Sequence, residues 1–252
     1  GLRPGFGMVP RTGAMSLSWS YDKLGPICRR ADDLGFVLEA IAGMDSDDPG
    51  SREIPFSYDP DHPVEGMKIG FDPEWFAEHT KVLEKMSGML TEAGIEMVQI
   101  RLPELPYEVL FNLIVVDAAA AFEELTLSDR DDELVRQDPD AWPNAFRAAR
   151  FFPAVEYVQL QRFRRLVCRE VRPLFDSVDA LVSPENRSDL LVITNSTGQP
   201  SLTLRAGFRE DGTPFGVNLW GRYGKELAIC RIGSVLEDGF AVADRRPPHF
   251  AE

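Results

Sequence analysis

The stretch from Met67 to Ile100 constrains this chain more than any other. Met67-Lys-Ile-Gly-Phe71 is a short apolar run of strand type. Val82, Leu83, Met86, Met89, Leu90 and Ala93 then recur at helical spacing, Gly94 supplies a stop, and Ile95 to Ile100 forms a second apolar run. Two strands joined by a helical crossover cannot form a hairpin, so they pair in parallel, and a parallel pair needs helices over both faces. The class is therefore α/β.

The rest of the chain is read against that unit. Residues 1 to 26 are punctuated by Gly and Pro and predict loops with brief strands. Leu34, Val37, Leu38 and Ile41 recur at i, i+3, i+4, i+7, which predicts a helix from Ala31 to Gly43, with Asp32 and Asp33 suiting its N-terminal end. Met44 to Pro63 is acidic, proline-rich and without period, an exposed connection. Leu105 to Leu125 is apolar on most faces and predicts a helix buried on several sides, while Asn112 and Asp117 argue against a membrane span. A charged turn at Ser128 to Glu133 and a helix from about Ala154 to Phe175 follow, so residues 101 to 178 read as a helical insertion between sheet elements. Asp179 to Ser183, Ser201 to Ala206 and Gly216 to Trp220 predict strands, Thr194 to Pro200 a tight loop, and Glu226 to Leu236 a closing helix.

Composition removes several function classes. With 27 Lys+Arg against 41 Asp+Glu the net charge is −14, a field that repels phosphate backbones and anionic membranes, so direct nucleic-acid and membrane binding are not expected. Cys28, Cys168 and Cys230 are scattered, with no CxxC spacing; they build neither a disulfide framework nor a zinc cage and suit a reducing, cytoplasmic setting. There is no GxSxG elbow, HExxH, Walker loop or GxGxxG after a strand. His62, His79 and His249 sit in an acidic loop, near a helix start and in the tail, a poor basis for a histidine triad or a metal site. Neither a metal nor a cofactor is expected.

Three features carry possible chemistry. Arg162, Arg164, Arg165, Arg169 and Arg172 share one predicted helix, but their spacing spreads them around it, which favours a solvated, salt-bridged helix over an anion site. Asp117 on an apolar helix is either a buried base or, as the favoured reading, a carboxylate held by a helix end or an arginine. Thr194-Asn-Ser-Thr-Gly-Gln-Pro200 sets hydroxyls, an amide and a glycine between two apolar strand-like runs, Leu190 to Ile193 and Ser201 to Leu204. Such a loop either lines a cleft at a strand end or satisfies its own backbone, and spacing alone leaves both open.

The ordered elements Gly1-Leu-Arg-Pro-Gly-Phe-Gly-Met-Val-Pro-Arg-Thr-Gly13, Ser18-Trp-Ser-Tyr-Asp-Lys-Leu-Gly-Pro26 and Leu38-Glu-Ala-Ile-Ala-Gly-Met-Asp45 resemble the amidase signature family, whose pattern is GLKPTxGRVSxxG, SxDxxGP and AIAGxDxxD. Asp22, Gly25 and Pro26 fall on the second element, Asp45 and Asp48 on the third. Thr194 to Pro200, Ala206-Gly-Phe208, Asp211-Gly-Thr-Pro214 and Gly216 to Gly221 are similar to its C-terminal elements TNxTGxP, PxGF, DGxPxG and LxGR. Layout agrees across the middle, so the resemblance covers essentially the whole chain.

The resemblance implies a mixed sheet sandwiched by helices and hydrolysis of a carboxylic amide through a serine acyl-enzyme. In the family a lysine, neutral through desolvation, draws the nucleophile's proton through a bridging serine, and backbone amides hold the oxyanion. All three residues lie upstream of the GLKP-like element. This sequence has no GGSSGG, no GSxR and no Gly-Gly pair, and Ser16, Ser18 and Ser20 occupy a different element. The chain is therefore expected to be the C-terminal part of a single amidase-type domain spanning 1 to 252, with no catalytic residue of its own and no turnover alone. Thr194 and Asn195 are the implied substrate-side residues. Asp189, one residue out of register with an aspartate that binds the substrate's amino group in the amidotransferase A-subunit branch, joins them weakly, and Asp22 is implied as a structural anchor.

A small amide is the expected substrate of the complete protein. The alternatives are a non-catalytic binding or subunit-interaction module, and an amidotransferase A subunit that reaches charged tRNA through a partner. Sheet edges and apolar faces left uncovered in a partial domain favour association, including a homodimer. Light scattering checks this: the expectation is a species heavier than 28.2 kDa, and a monodisperse monomer contradicts it.

Overall fold

The computed structural model describes residues 1–185 and 187–245; the reading of His249 lies outside them. The crossover unit is present as expected. Strand β2 (Lys68–Phe71) and strand β3 (Glu96–Gln99) pair in parallel, Lys68 opposite Glu96, and helix α2 (Thr80–Glu92) connects them. Gly94 at φ +76° makes the stop that lets the chain turn from α2 into β3.

Six strands form one mixed sheet. The other four are β1 (Leu2–Arg3), β4 (Ala180–Pro184), β5 (Ser201–Phe208) and β6 (Pro214–Gly221), and the spatial order is β1-β5-β6-β4-β2-β3. Strands β2, β3 and β4 run parallel, whereas β5 and β6 form an antiparallel hairpin whose second strand lies against β4. Central β4 is buried at all five positions, as a strand covered on both faces must be. Two-residue β1 runs antiparallel to β5, with Leu2 opposite Leu202.

Helices α1 (Ala31–Ile41) and α8 (Glu226–Phe240) pack on each other, and α8 also meets α2, β5 and β6. Between β3 and β4 the chain forms helices and no strand: α3 (Phe111–Ala121), α4 (Glu123–Leu127), α5 (Trp142–Ala149) and α6 (Ala154–Ser177), with short 3-10 turns at Tyr107–Leu110 and Arg130–Glu133. Helix α6 then packs on α7 (Ser188–Thr197). Trp220, Leu181, Ile69, Val217 and Leu219 of the sheet share one core with Leu38, Leu90, Val167, Ile193 and Ile229 of the helices.

Two expectations are corrected. Thr194 to Thr197 is not a loop but the last turn of α7, and Leu190 to Ile193 is helix rather than strand; the tight turn is confined to Gly198, at φ +81°. The charged turn at 128–133 hides Asp131, which is fully buried and forms an ion pair with Arg147 at 2.5 Å. A buried carboxylate requires such a counter-charge.

Two helical glycines give a test of packing. In α1, a Cβ on buried Gly35 would collide with the Tyr58 ring, whereas exposed Gly88 of α2 faces open space. Gly35→Ala is expected to lose about 2 kcal/mol despite its better helix propensity, and Gly88→Ala to gain about 0.5–1 kcal/mol, read from urea unfolding midpoints.

Candidate functional site

Residues 4 to 30, between β1 and α1, contain no helix or strand, so other contacts set their course. Arg11 donates to both oxygens of Asp48 (Nε to Oδ2 3.0 Å, Nη2 to Oδ1 2.8 Å), and its backbone N–H adds a third bond to Oδ2. These bonds, the Arg11 side chain's foremost, hold the Asp48 carboxyl well below the usual carboxylate range. Asp22 accepts through Oδ2 from the N–H groups of Leu17 (2.8 Å) and Ser18 (3.0 Å) and from the Ser16 hydroxyl, which makes it a knot in its own loop.

Buried Asp117 on α3 faces no arginine. Ser18 Oγ donates to its Oδ2 at 2.6 Å and the Tyr157 hydroxyl to its Oδ1 at 2.8 Å, so two hydroxyls satisfy it and tie the N-terminal segment to the insertion. The favoured sequence reading, an arginine or a helix end, is replaced by this hydroxyl pair.

The last turns of α7 receive the N-terminal segment. Arg3 donates to Thr194 Oγ1 (2.7 Å), Lys23 Nζ to Asn195 Oδ1 (3.1 Å), and the Tyr21 hydroxyl lies 3.1 Å from Ser196 Oγ. Arg164 from α6 donates to the Ser196 carbonyl (2.6 Å), to Ser20 Oγ (2.8 Å) and to the Ser20 carbonyl (3.0 Å), with its guanidinium 4.4 Å from the Tyr21 ring centre. This arginine therefore departs from the solvated helix expected for its cluster. Arg169 and Arg172 keep to that expectation, pairing with Glu170 and Asp176.

Three cations thus surround one helix C-terminus, an arrangement the helix dipole favours. Burial, reinforced by the Arg3 and Arg164 charges, pushes the Lys23 ammonium down to about 6, and burial takes Arg3 down to about 10.

The structure brings Thr194 and Asn195 together and keeps Asp189 apart. Thr194 is fully buried, its hydroxyl donating to the Leu190 carbonyl and accepting from Arg3. Asp189 sits in the first turn of α7, six residues and about 9 Å of helix rise away. There it pairs with Arg187 in a separate depression bordered by Trp75 and His79. Arg3, Lys23 and Arg164 were missed in the sequence because their partners lie 191, 172 and 32 residues away. The one local signal for Lys23 is its place within the Ser-Tyr-Asp-Lys-Leu-Gly-Pro element.

The amidase family model matches residues 1–230, and the chain belongs to the amidase family. The A subunit of glutamyl-tRNA(Gln) amidotransferase from Koribacter versatilis (strain Ellin345) is 26% identical over 290 residues, covering 96% of this chain and 60% of that protein. Its namesake from Neisseria gonorrhoeae (strain ATCC 700825 / FA 1090) is 27% identical over 278 residues, with 91% and 57% covered. Among solved structures, native peptide amidase from Stenotrophomonas maltophilia superposes with a TM-score of 0.79 at 23% identity, covering 100% of this chain and 60% of that one. A bacterial aryl acylamidase of the amidase signature family gives 0.77 at 19% identity, covering 98% and 60%. These likenesses show the amidase signature fold, and the chain spans about 60% of the length of the relatives it matches.

The Arg11–Asp48 pair gives a pH test. A carboxyl whose folded pKa is depressed adds stability that is present above its unfolded value, about 4, and lost as pH falls through the folded one. Asp48→Asn is expected to cost about 2 kcal/mol at pH 7 and to flatten the loss of stability below pH 4, measured by urea unfolding across pH 2 to 7.

Proposed function

We propose that this member of the amidase family forms the substrate-side portion of an amidase signature hydrolase, whose complete form cleaves small carboxylic amides through a serine acyl-enzyme. One observation carries the reading. The motif-bearing stretches from opposite ends of the sequence meet at the last turns of α7, through Arg3 on Thr194, Lys23 on Asn195 and Tyr21 beside Ser196. Residues that serve only local turns have no need to converge across such separations.

In this reading Asn195 lies at the acyl-side wall, Thr194 fixes Arg3 behind it, and Asp189 plays a lesser part from the other end of α7. Asp22 holds the loop through its three accepted hydrogen bonds. The nucleophile, bridging serine and lysine base come from residues outside this chain. Its own nearby serines are engaged: Ser16 with Asp22, Ser18 with Asp117, and Ser20 with Arg164. No histidine stands beside any of them in these contacts. Acyl transfer of this kind calls for no cofactor, and the setting we assign is the cytoplasm.

A second reading is favoured by the amidotransferase relatives. A chain of net charge −14 would then reach charged tRNA through a partner protein rather than by its own surface.

The test compares two proteins: the 252-residue chain and the protein isolated from its native source, whose intact mass is measured first. Each is assayed on a nitrophenyl acetanilide and on benzamide. A native mass well above 28.2 kDa with turnover only in that longer protein is the expected result. A native mass of 28.2 kDa with no turnover in either replaces hydrolysis by a non-catalytic binding or subunit-interaction role.

A further inference from the structure

The surroundings of Lys23 suit a free amine better than an ammonium. Its Nζ donates to the Tyr21 carbonyl at 3.2 Å and to Asn195 Oδ1 at 3.1 Å, both neutral oxygens, and it forms no ion pair within 4.0 Å among the described residues. An ammonium has three N–H groups and no lone pair, whereas a free amine has two N–H groups and one lone pair. Two protein acceptors therefore match the amine and leave the ammonium one short. Burial disfavours the ammonium most, Arg3 from β1 and Arg164 from α6 next, and Arg11 least; Asp22 opposes them, and the balance lies at about 6. The other carboxylates nearby add little: Asp48 is paired with Arg11, and Asp47 is exposed and screened by solvent.

Lys23 lines a cavity of about 510 Å³. One part of its lining is apolar and uncovered: Met15 is 83% exposed, Trp19 55% and Leu24 41%. The remainder carries three carboxylates, Asp22, Asp47 and Asp48, with Arg11 already taken by one of them. Such a cavity turns anions away and admits a neutral molecule with an apolar body. What a free amine can do to a neutral molecule is add to an electrophilic carbon.

We propose that Lys23 is a covalent attachment site for a small, uncharged aldehyde with an apolar body, which lies against Met15, Trp19 and Leu24 while Nζ attacks its carbonyl carbon. The Nζ lone pair forms the new C–N bond, the carbonyl oxygen departs as water with the two amine protons, and an imine joins lysine to ligand. No electron is gained or lost, so the step needs no oxidant, metal or second protein. It is independent of the amidase reading, since it uses only residues of this chain. The amine form is nearly complete at pH 7 and falls about tenfold per unit below pH 6, so imine formation is expected to be level from pH 7 to 8 and to weaken at pH 5.

The experiment incubates the 252-residue chain with benzaldehyde and cyanoborohydride, which reduces an imine to a stable secondary amine, at pH 5, 7 and 8, and locates the adduct by peptide mass spectrometry. At pH 7 we expect more adduct on Lys23 than on the Gly1 amine or on any of the exposed lysines, Lys68, Lys81, Lys85 and Lys225. Lys23 labelling should stay level from pH 7 to 8, where an ordinary lysine gains about tenfold. Relative to the exposed lysines, anionic 4-formylbenzoate should label Lys23 several-fold less than benzaldehyde does. Trp19→Ala, at an exposed position, should lower benzaldehyde labelling of Lys23 several-fold and leave labelling by propanal unchanged. Adduct spread evenly over the lysines, Lys23 labelling that climbs from pH 7 to 8, 4-formylbenzoate as effective as benzaldehyde, or a Trp19→Ala protein labelled like the parent would each overturn the proposal.

Discussion

Thirty residues precede α1, and only Leu2 and Arg3 of them enter the sheet. Their path depends on hydrogen bonds received by a single helix end. Helix α7 finishes at Gly198, whose carbonyl accepts from the Phe6 N–H at 2.9 Å, one residue beyond the turns that receive Arg3, Lys23, Tyr21 and Arg164. A helix end has orphan carbonyls and a partial negative charge, and donors and cations are what satisfy both. On the other side of the segment, fully buried Glu226 at the start of α8 accepts from the Gly5 N–H at 2.9 Å. Burial pushes its carboxyl up, and the Gly5 bond opposes that shift only in part. Two helix termini, one through its backbone carbonyls and one through the carboxyl of its first residue, thus clamp a stretch with almost no secondary structure.

The polar groups in this clamp are numerous, yet most are satisfied, and the satisfaction is long-range. Ser18, Asp117 and Tyr157 come from the N-terminal loop, the insertion and the long helix α6, and Asp117 joins the other two through one short bond to each. Because a buried carboxylate left without donors costs more than one paired hydrogen bond returns, this triad fixes the insertion against the loop in one register. Apolar packing sets no such register. The core residues of α3 are Leu113, Ala118 and Ala119, of which only Leu113 is large.

How legible this was follows from where each signal lies. The β2–α2–β3 unit could be read directly, because strand runs, a 3.6-residue period and a glycine stop all sit within 34 consecutive residues, Met67 to Ile100. The end of α7 was misread for a local reason. Leu190-Leu-Val-Ile-Thr194 is β-branched and short, so its pattern suits a strand as well as a helix, and only Gly198, at a left-handed turn, marked the helix end. The cation cluster was legible only through motif resemblance, since Arg3 and Lys23 find their partners more than 170 residues away. Arg164 looked like one of five arginines around a solvated helix, and no periodicity distinguishes the one that turns inward to Ser20 and Ser196.

The same cluster sits in a protein of strongly opposite sign, and the two fields act over different distances. At physiological ionic strength, screening sets in at about 8 Å, so an approaching anion meets the net charge of −14 before it meets Lys23. A polyanion carries that repulsion on every phosphate and recovers little of it, because Arg3 and Arg164 are held by Thr194 and by the Ser20 and Ser196 oxygens at the end of α7. Burial holds the Lys23 ammonium down to about 6, so it too offers little charge at neutral pH. The inward-turned cations therefore serve the helix end, and the net negative charge is what an approaching partner meets first.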